Sequence, residues 1–321
     1  MEQFSREDIA VGIVLYCPDE TRFRKCLDSI LPQAQRVYIF ENAMTEERFW
    51  PDDRIIFWGD RNNRGLAYAL NRIMEQAQRD GFQWVITMDQ DSILPPGLID
   101  AYAQKILQSP RKPLGILCPQ VIDRRRAYLQ VKTTPEEEFV SKCITSGSCT
   151  YIPAWEQVGG FDEWLFIDLV DNEFCKRLQV CGYQILRLNR WVLDQEFGKI
   201  KPKSERVQRF WLRIAKLTGN PNFAKFSYKK YVSPMRVYYT NRNIIYVNKK
   251  LKPYGAVGYE SYHCHNYPGF LISFSLPSIF RAQQKWTVAK AVVRGIRDGL
   301  KHPADPWRAG ESKANETNSD H

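Results

Sequence analysis

Trp84-Val-Ile-Thr-Met88 runs without a spacer into Asp89-Gln90-Asp91-Ser92, so an apolar segment of strand length ends on two carboxylates. The apolar part reads as a buried strand. Toward the N-terminus, Ile9–Tyr16 (IAVGIVLY) is a second such run, with Val37–Phe40 and Arg54–Trp58 as shorter ones; Leu114–Ile122 follows on the other side. Between these runs the apolar spacing changes to three and four. Thr21–Gln33 places Leu27, Ile30 and Leu31 on one helical face, Leu66–Arg79 does the same with Ala69, Leu70, Ile73 and Ala77, and Gly97–Gln108 is a third helix. Strands alternating with helices predict an α/β domain with a mostly parallel sheet flanked by helices. After residue 123 the alternation loosens. Arg124–Arg126 reads as an exposed turn, Pro135-Glu-Glu-Glu138 as a charged loop, Asp171–Cys181 as a helix and Tyr183–Leu193 as a strand.

Ligands of open α/β sheets bind beyond the carboxyl ends of the strands. Tyr16-Cys-Pro-Asp19, Glu41-Asn42, Asp60-Arg-Asn-Asn63-Arg-Gly65 and Asp89-Gln-Asp91 follow four successive strands, so one edge collects polar residues. Paired carboxylates repel unless a cation lies between them. Mg²⁺ and Mn²⁺ are hard ions that take oxygen ligands and substrate phosphates, so a metal-bridged diphosphate suits this edge. Gly65, just ahead of a helix, would let the backbone approach such a ligand. Taken alone, the Asp-Gln-Asp string could equally cap the helix ahead.

The chain has 321 residues, 44% of them hydrophobic and 26% charged, which excludes disorder, collagen and coiled coil as the main state. Its formal charge of +10 is uneven: residues 1–200 hold 24 basic and 29 acidic side chains, residues 201–321 hold 22 and 7. The eight Cys show no CxxC spacing, and the first residues have no apolar signal core, so a reduced, cytoplasmic protein is expected. Phe270–Leu276 is too short to span a membrane and meets Pro277. The division expected is a catalytic, nucleotide-binding domain over 1–200, a basic helical region over 201–303 and a disordered tail over 304–321.

In the basic region Ser233-Pro234 starts a helix. Arg236, Tyr239 and Asn243, with Arg242 beside them, share one of its faces; that face could hold a diphosphate, or the helix could pack on the first domain. Trp286–Leu300 places Val288, Ala289, Val292, Val293, Ile296 and Leu300 on one side with Lys and Arg interleaved, which suits either an anionic membrane surface or a helical bundle. His263-Cys-His265 reads as a surface turn. No nucleic-acid motif is present, and the acidic first half argues against nucleic acid as a partner.

Asn63-Arg-Gly65-Leu-Ala67-Tyr-Ala69-Leu-Asn71, Asp89-Gln-Asp91-Ser92, Ser146-Gly147-Ser148, Gly159-Gly160-Phe161-Asp162-Glu163 and Phe166-Ile-Asp168-Leu-Val-Asp171-Asn-Glu173-Phe-Cys-Lys-Arg177 together resemble a family 2 glycosyltransferase of the GT-A fold. Within it the nearest likeness is to bacterial rhamnosyltransferases of cell-surface polysaccharide (O-antigen) assembly; Arg236-Val-Tyr-Tyr239-Thr-Asn-Arg242-Asn243 resembles the helix that follows the catalytic domain there. The resemblance implies that Tyr16 stacks on the nucleotide base, Glu41 accepts from the base, and Asn63 and Gly65 line the nucleotide site. Asp89 and Asp91 would hold Mg²⁺ or Mn²⁺ on the diphosphate. Asp171 would be the general base, with Glu173 contacting the acceptor or orienting the base and Asp168 as the other candidate; Asp171, near a helix start, would be held ionised by the helix dipole. Arg236, Tyr239, Arg242 and Asn243 would meet the acceptor or its phosphates. Gln195 stands where many relatives carry a metal-completing His, with Asp194 beside it.

The function implied is inverting transfer of L-rhamnose from dTDP-L-rhamnose to a saccharide or polyprenyl-diphosphate-linked acceptor, on the inner face of the cytoplasmic membrane. UDP-galactofuranose or a UDP-hexose is the alternative donor. A sugar nucleotidyltransferase would need a Gly-rich loop where Tyr16-Cys-Pro-Asp19 stands; a non-catalytic membrane adaptor would have no use for the acids at 89, 91, 171 and 173.

Overall fold

A computed structural model describes residues 4–45, 50–108, 113–123, 131–195 and 200–310. The Arg124–Arg126 turn and residues 311–321 of the expected tail lie outside the described residues. Strands β1 (Ile9–Leu15), β2 (Val37–Asn42), β3 (Ile55–Asp60), β4 (Trp84–Asp89) and β5 (Leu114–Ile122) form close to their expected bounds. So do helices α1 (Glu20–Ile30), α2 (Leu66–Arg79) and α3 (Leu98–Gln108). β1, β2 and β4 are covered on both faces, which is why their sequences are continuous apolar runs. They pair in parallel, with Ile13 opposite both Ile39 and Met88, and β3 joins β2 in parallel at the edge.

Three further strands complete one sheet: β6 (Glu137–Val140), β7 (Ser148–Tyr151) and β8 (Gln184–Asp194). Its order is β3-β2-β1-β4-β7-β5-β8-β6. β7 lies antiparallel between β4 and β5, so the sheet is mostly parallel but mixed. The charged loop expected at Pro135–Glu138 is partly strand: β6 pairs antiparallel with β8 and keeps acids on the open edge, a device that discourages further strand addition. β6 and β7 have four residues each, too few for a linear pattern to show; neighbours on the sheet decide both.

Helices cover both faces. One layer packs Phe23, Leu27 and Ile30 of α1 against Leu98, Ile99 and Tyr102 of α3. The other combines α2 with α4 (Ile152–Gln157) and α5 (Val170–Val180). After β9 (Ile200–Pro202), α6 (Glu205–Thr218) and β10 (Tyr228–Lys230), the long helix α7 (Pro234–Lys250) starts on the Ser233 cap. Ile244, Ile245 and Val247 of α7 join the same core as Leu70, Phe174 and Leu178, so packing is continuous across residue 200.

The chain then runs through α8 (Tyr267–Phe270), a π-helical turn (Leu271–Ser275), α9 (Leu276–Arg281) and α10 (Lys285–Lys301). α10 lies along α7, where Gly295 and Gly299 allow the approach: a Cβ on Gly295 would come within 2.4 Å of the Tyr238 carbonyl oxygen. Val288 and Val292 are buried by this packing while Val293 and Leu300 stay exposed, so the single apolar face expected for residues 286–300 is split in two. Among the described residues no helix is long and apolar enough to cross a membrane.

Candidate active site

A cleft of about 720 Å³ opens at the carboxyl ends of β1 and β4. Tyr16, Asn63 and Gly65 line it from the N-terminal strands, as do Asp89, Gln90 and Asp91 after β4. Asp168 and Asp171 line the opposite wall with Arg236 of α7. Glu41 is buried at 6% exposure, and its neighbour Asn42 faces the cleft instead. Side chains alternate along β2, so a one-residue difference in which residue reaches the edge decides this.

The nucleotide-side loops brace one another. Tyr16, at 47% exposure, presents its ring to the cleft, and its backbone is held by Gln90. Gln90 Oε1 accepts from the Tyr16 N–H at 2.8 Å and Nε2 donates to the Tyr16 carbonyl at 3.1 Å. The β1–β4 ladder ends at Val14 opposite Asp89, so this amide adds one rung beyond it. Sequence reasoning passed over Gln90 as a spacer; a middle residue with both a donor and an acceptor was the available signal. Asn63 Oδ1 accepts from the Gly65 N–H at 3.0 Å. Gly65 has φ +96°, and a Cβ there would meet Phe166 at 2.8 Å, so its close approach is to the opposite wall rather than to a ligand.

Asp89 is positioned by the Ser146 hydroxyl, which accepts from its N–H at 3.1 Å. Arg22 Nε donates to the Asp91 carbonyl at 3.0 Å. Burial, and then repulsion from Asp91, push the Asp89 carboxyl up to about 7. Gln195 lines the cleft and its Nε2 donates to Asp89. Gln195 Oε1 is buried with no hydrogen-bond partner among the described residues. Two carboxylates that oppose each other's ionisation, beside an unpaired amide oxygen, fit a hard divalent cation. No cluster of three His, Cys, Asp or Glu ligands occurs among the described residues, so such an ion would complete its shell from substrate phosphate and water.

The opposite wall is a loop with unusual backbone. Asp168 and Leu169 both have φ +66°, a left-handed conformation costing about 1–3 kcal/mol at each non-glycine residue. α7 holds it there. Asn243 Nδ2 donates to the Ile167 and Asp168 carbonyls, each at 2.8 Å. Arg242 donates to the Trp164 carbonyl at 2.6 Å and lies over the Trp164 ring at 3.7 Å. Tyr239 stacks on Phe166 at 4.9 Å. Arg236 pairs with the Asp168 carboxylate, which also accepts from Thr240 at 3.2 Å.

These contacts correct three expectations. Asn243 is fully buried and both its amide hydrogens serve backbone carbonyls, while Arg242 and Tyr239 are stacked on Trp164 and Phe166, so none of the three faces a phosphate; Arg236 alone of that helix face reaches the cleft. Glu173 is likewise no acceptor contact. It has no exposed surface, holds Arg177 through both oxygens at 2.7 and 2.6 Å, and accepts from Lys250 at 2.7 Å. The dipole expectation for Asp171 is also reversed: burial outweighs the Asn172 N–H and, with Asp168 adding, pushes its carboxyl up to about 6.

Asp171 also borders a second cavity of about 220 Å³, lined by Lys142, Ser148, Asn172 and Arg187. It therefore stands between the two spaces. Tyr262, which sequence reasoning missed, lines the main cleft too; burial and the nearby Asp168 and Asp171 hold its phenol far above the ordinary range. Nothing in the local sequence of Tyr262 separates it from a core aromatic.

Residues 11–132 match the family model described as Glycosyl transferase family 2. A crystal structure of GalNAc-T7 with UDP, GalNAc and Mn²⁺ superimposes with a TM-score of 0.50 at 10% identity over 86% of this chain. This chain spans 57% of the length of that protein. The mannosyltransferase PcManGT from Pyrobaculum calidifontis, in complex with GDP-Man and Mn²⁺, gives 0.48 at 15% identity, covering 92% of this chain and 87% of its own. No curated protein sequence matches. The strand-end pattern and the mixed sheet agree with this match: residues 11–132 are similar to family 2 glycosyltransferases, and the architecture is that of a GT-A fold.

Proposed function

We propose that the protein transfers a sugar from a nucleotide sugar to a hydroxyl of a saccharide acceptor, with inversion at the anomeric carbon. One observation carries this: the acid pair Asp89/Asp91 and the separate carboxylate Asp171 open into a single cleft. Tyr16 would carry the base and Asn63 the nucleotide's sugar side. Asp89 and Asp91 would hold Mg²⁺ or Mn²⁺, which when bound neutralises charge developing on the departing diphosphate. Arg236, still paired with Asp168, would turn its remaining N–H groups toward the same phosphates.

Asp171 would take the proton of the attacking hydroxyl. Its shifted carboxyl suits this, since it stays ionised at neutral pH yet is a better base than an ordinary aspartate. The acceptor would enter through the cavity beyond Asp171, so that attack comes from the face opposite the diphosphate. Asp168, tied to Arg236 and Thr240, would shape the wall rather than move protons. L-Rhamnose from dTDP-L-rhamnose is the donor we favour on the sequence resemblance, with a polyprenyl-diphosphate-linked acceptor and peripheral placement on the cytoplasmic membrane; UDP-galactofuranose and UDP-hexoses are the alternatives. A screen of nucleotide sugars for transfer or hydrolysis, with Mg²⁺ and Mn²⁺ compared, tests the reading. Metal-dependent turnover of one donor is expected, and turnover of none would remove it.

A further inference from the structure

α10 has a second face. Opposite the side packed on α7, Trp286 is 83% exposed, Val293 66% and Leu300 59%. They stand seven residues apart and form one stripe. Lys290 and Arg297 fall between them at four- and three-residue steps, so the stripe alternates apolar and basic side chains along the helix. Immediately before it, the π-turn and α9 expose Ile272 at 68%, Leu276 at 46% and Phe280 at 71%, again four residues apart. Residues 272–301 hold six Lys/Arg and one carboxylate, Asp298, which is already engaged by Tyr238 and Arg297. Among the described residues no carboxylate pairs with Lys285, Lys290, Arg294 or Lys301.

We infer that α9 and the outward stripe of α10 dock on an anionic lipid bilayer. Apolar side chains left in water and framed by cations match a surface with an apolar interior and negative headgroups. Trp286 suits the interfacial layer, and long Lys and Arg stems lie along apolar surface while their heads reach outward. A second copy of the same face would bring like charges together, which disfavours self-association. The lipid face therefore differs from the one legible in the sequence, because Val288 and Val292 are covered by α7. This gives the proposed peripheral placement its contact surface, and it rests on that placement alone, independent of donor chemistry.

The test is co-sedimentation of the full-length chain with vesicles of phosphatidylcholine plus phosphatidylglycerol, against phosphatidylcholine alone. Binding to the anionic vesicles only is expected, weakening as salt rises. Each basic side chain near an anionic surface is worth about fivefold in affinity, so Lys290→Gln with Arg297→Gln is expected to lower it about 25-fold. Trp286→Ser with Val293→Ser is expected to lower it at least tenfold. All four side chains are exposed, and nucleoside diphosphate affinity and melting temperature serve as controls for folding. The inference is overturned by equal binding to neutral vesicles, by no binding, by variants that bind as the parent does, or by sedimentation showing that the same substitutions split a dimer. Vesicle binding that follows the expected pattern in a protein that binds no nucleoside diphosphate supports this surface while removing the transferase reading.

Discussion

The two walls of the cleft are built on different principles. The wall from β1 to β4 is made of strand ends: each residue reaches the edge because the apolar run before it forms a strand of fixed direction. The wall from Trp164 to Asp171 has no regular backbone, and Asp168 and Leu169 hold a conformation that side-chain-bearing residues rarely adopt. It stays in place because α7, about 70 residues later, meets its carbonyls, rings and carboxylate with Asn243, Arg242, Tyr239 and Arg236. One wall is local in the sequence and the other is assembled at long range. Polar residues on the first wall are brought to the cleft by strand direction, whereas most of those on the second are committed to the fold.

Substitutions should divide along that line. Asp171→Asn removes the proposed base and is expected to lower kcat by about 10²- to 10⁴-fold, with nucleoside diphosphate affinity nearly unchanged by calorimetry. Only the ionised carboxylate can accept a proton, so parent activity should rise with pH, be half-maximal near pH 6 and level off about one unit higher. A larger loss of nucleotide affinity than of turnover would place Asp171 in binding.

Glu173→Gln, two positions on, should act on stability. It leaves Arg177 without its carboxylate and Lys250 with Asp162 alone, and denaturant unfolding is expected to show a loss of about 3–5 kcal/mol. Normal stability with lost turnover would return Glu173 to the reaction. Asn243→Ala strips two carbonyls of their donor and should cost about 1–3 kcal/mol. Turnover should fall further than nucleotide affinity, because the wall carrying Asp171 is the one released.

Gln90→Ala is the mildest change and lies on the strand-end wall. It removes two exposed hydrogen bonds, worth about 1 kcal/mol each, from the loop that presents Tyr16. The expected result is a fall in nucleotide affinity of about tenfold with the melting temperature lowered by only a few degrees. Equal losses in affinity and stability would make Gln90 a structural residue only.

The same contrast explains what could be read from the sequence. β1 to β5, α1 to α3 and the edge residues Tyr16, Asn63, Asp89 and Asp91 were legible because period, burial and strand direction fix them locally. β6 and β7 were not, since Glu137–Val140 and Ser148–Tyr151 pair through neighbours that a linear pattern does not reveal. Arg242 and Asn243 were misread for a related reason. A helix face rich in Arg, Tyr and Asn looks alike whether it meets a phosphate or a strained loop, and only the long-range partner distinguishes them. Glu173 looked catalytic from its spacing to Asp171, yet two steps of about 100° each along the helix turn it from the cleft side to the core side.

The central claim is that Asp89 and Asp91 hold a cation on the donor's diphosphate in the cleft that contains Asp171. Calorimetric titration of UDP and dTDP into the protein, with Mn²⁺ and then with EDTA, tests it most directly, with Asp91→Asn alongside. The account predicts binding of at least one nucleotide that weakens tenfold or more in EDTA, and a variant whose affinity no longer responds to the metal. Equal affinity with and without metal, or an Asp91→Asn protein that keeps the full metal response, would contradict it.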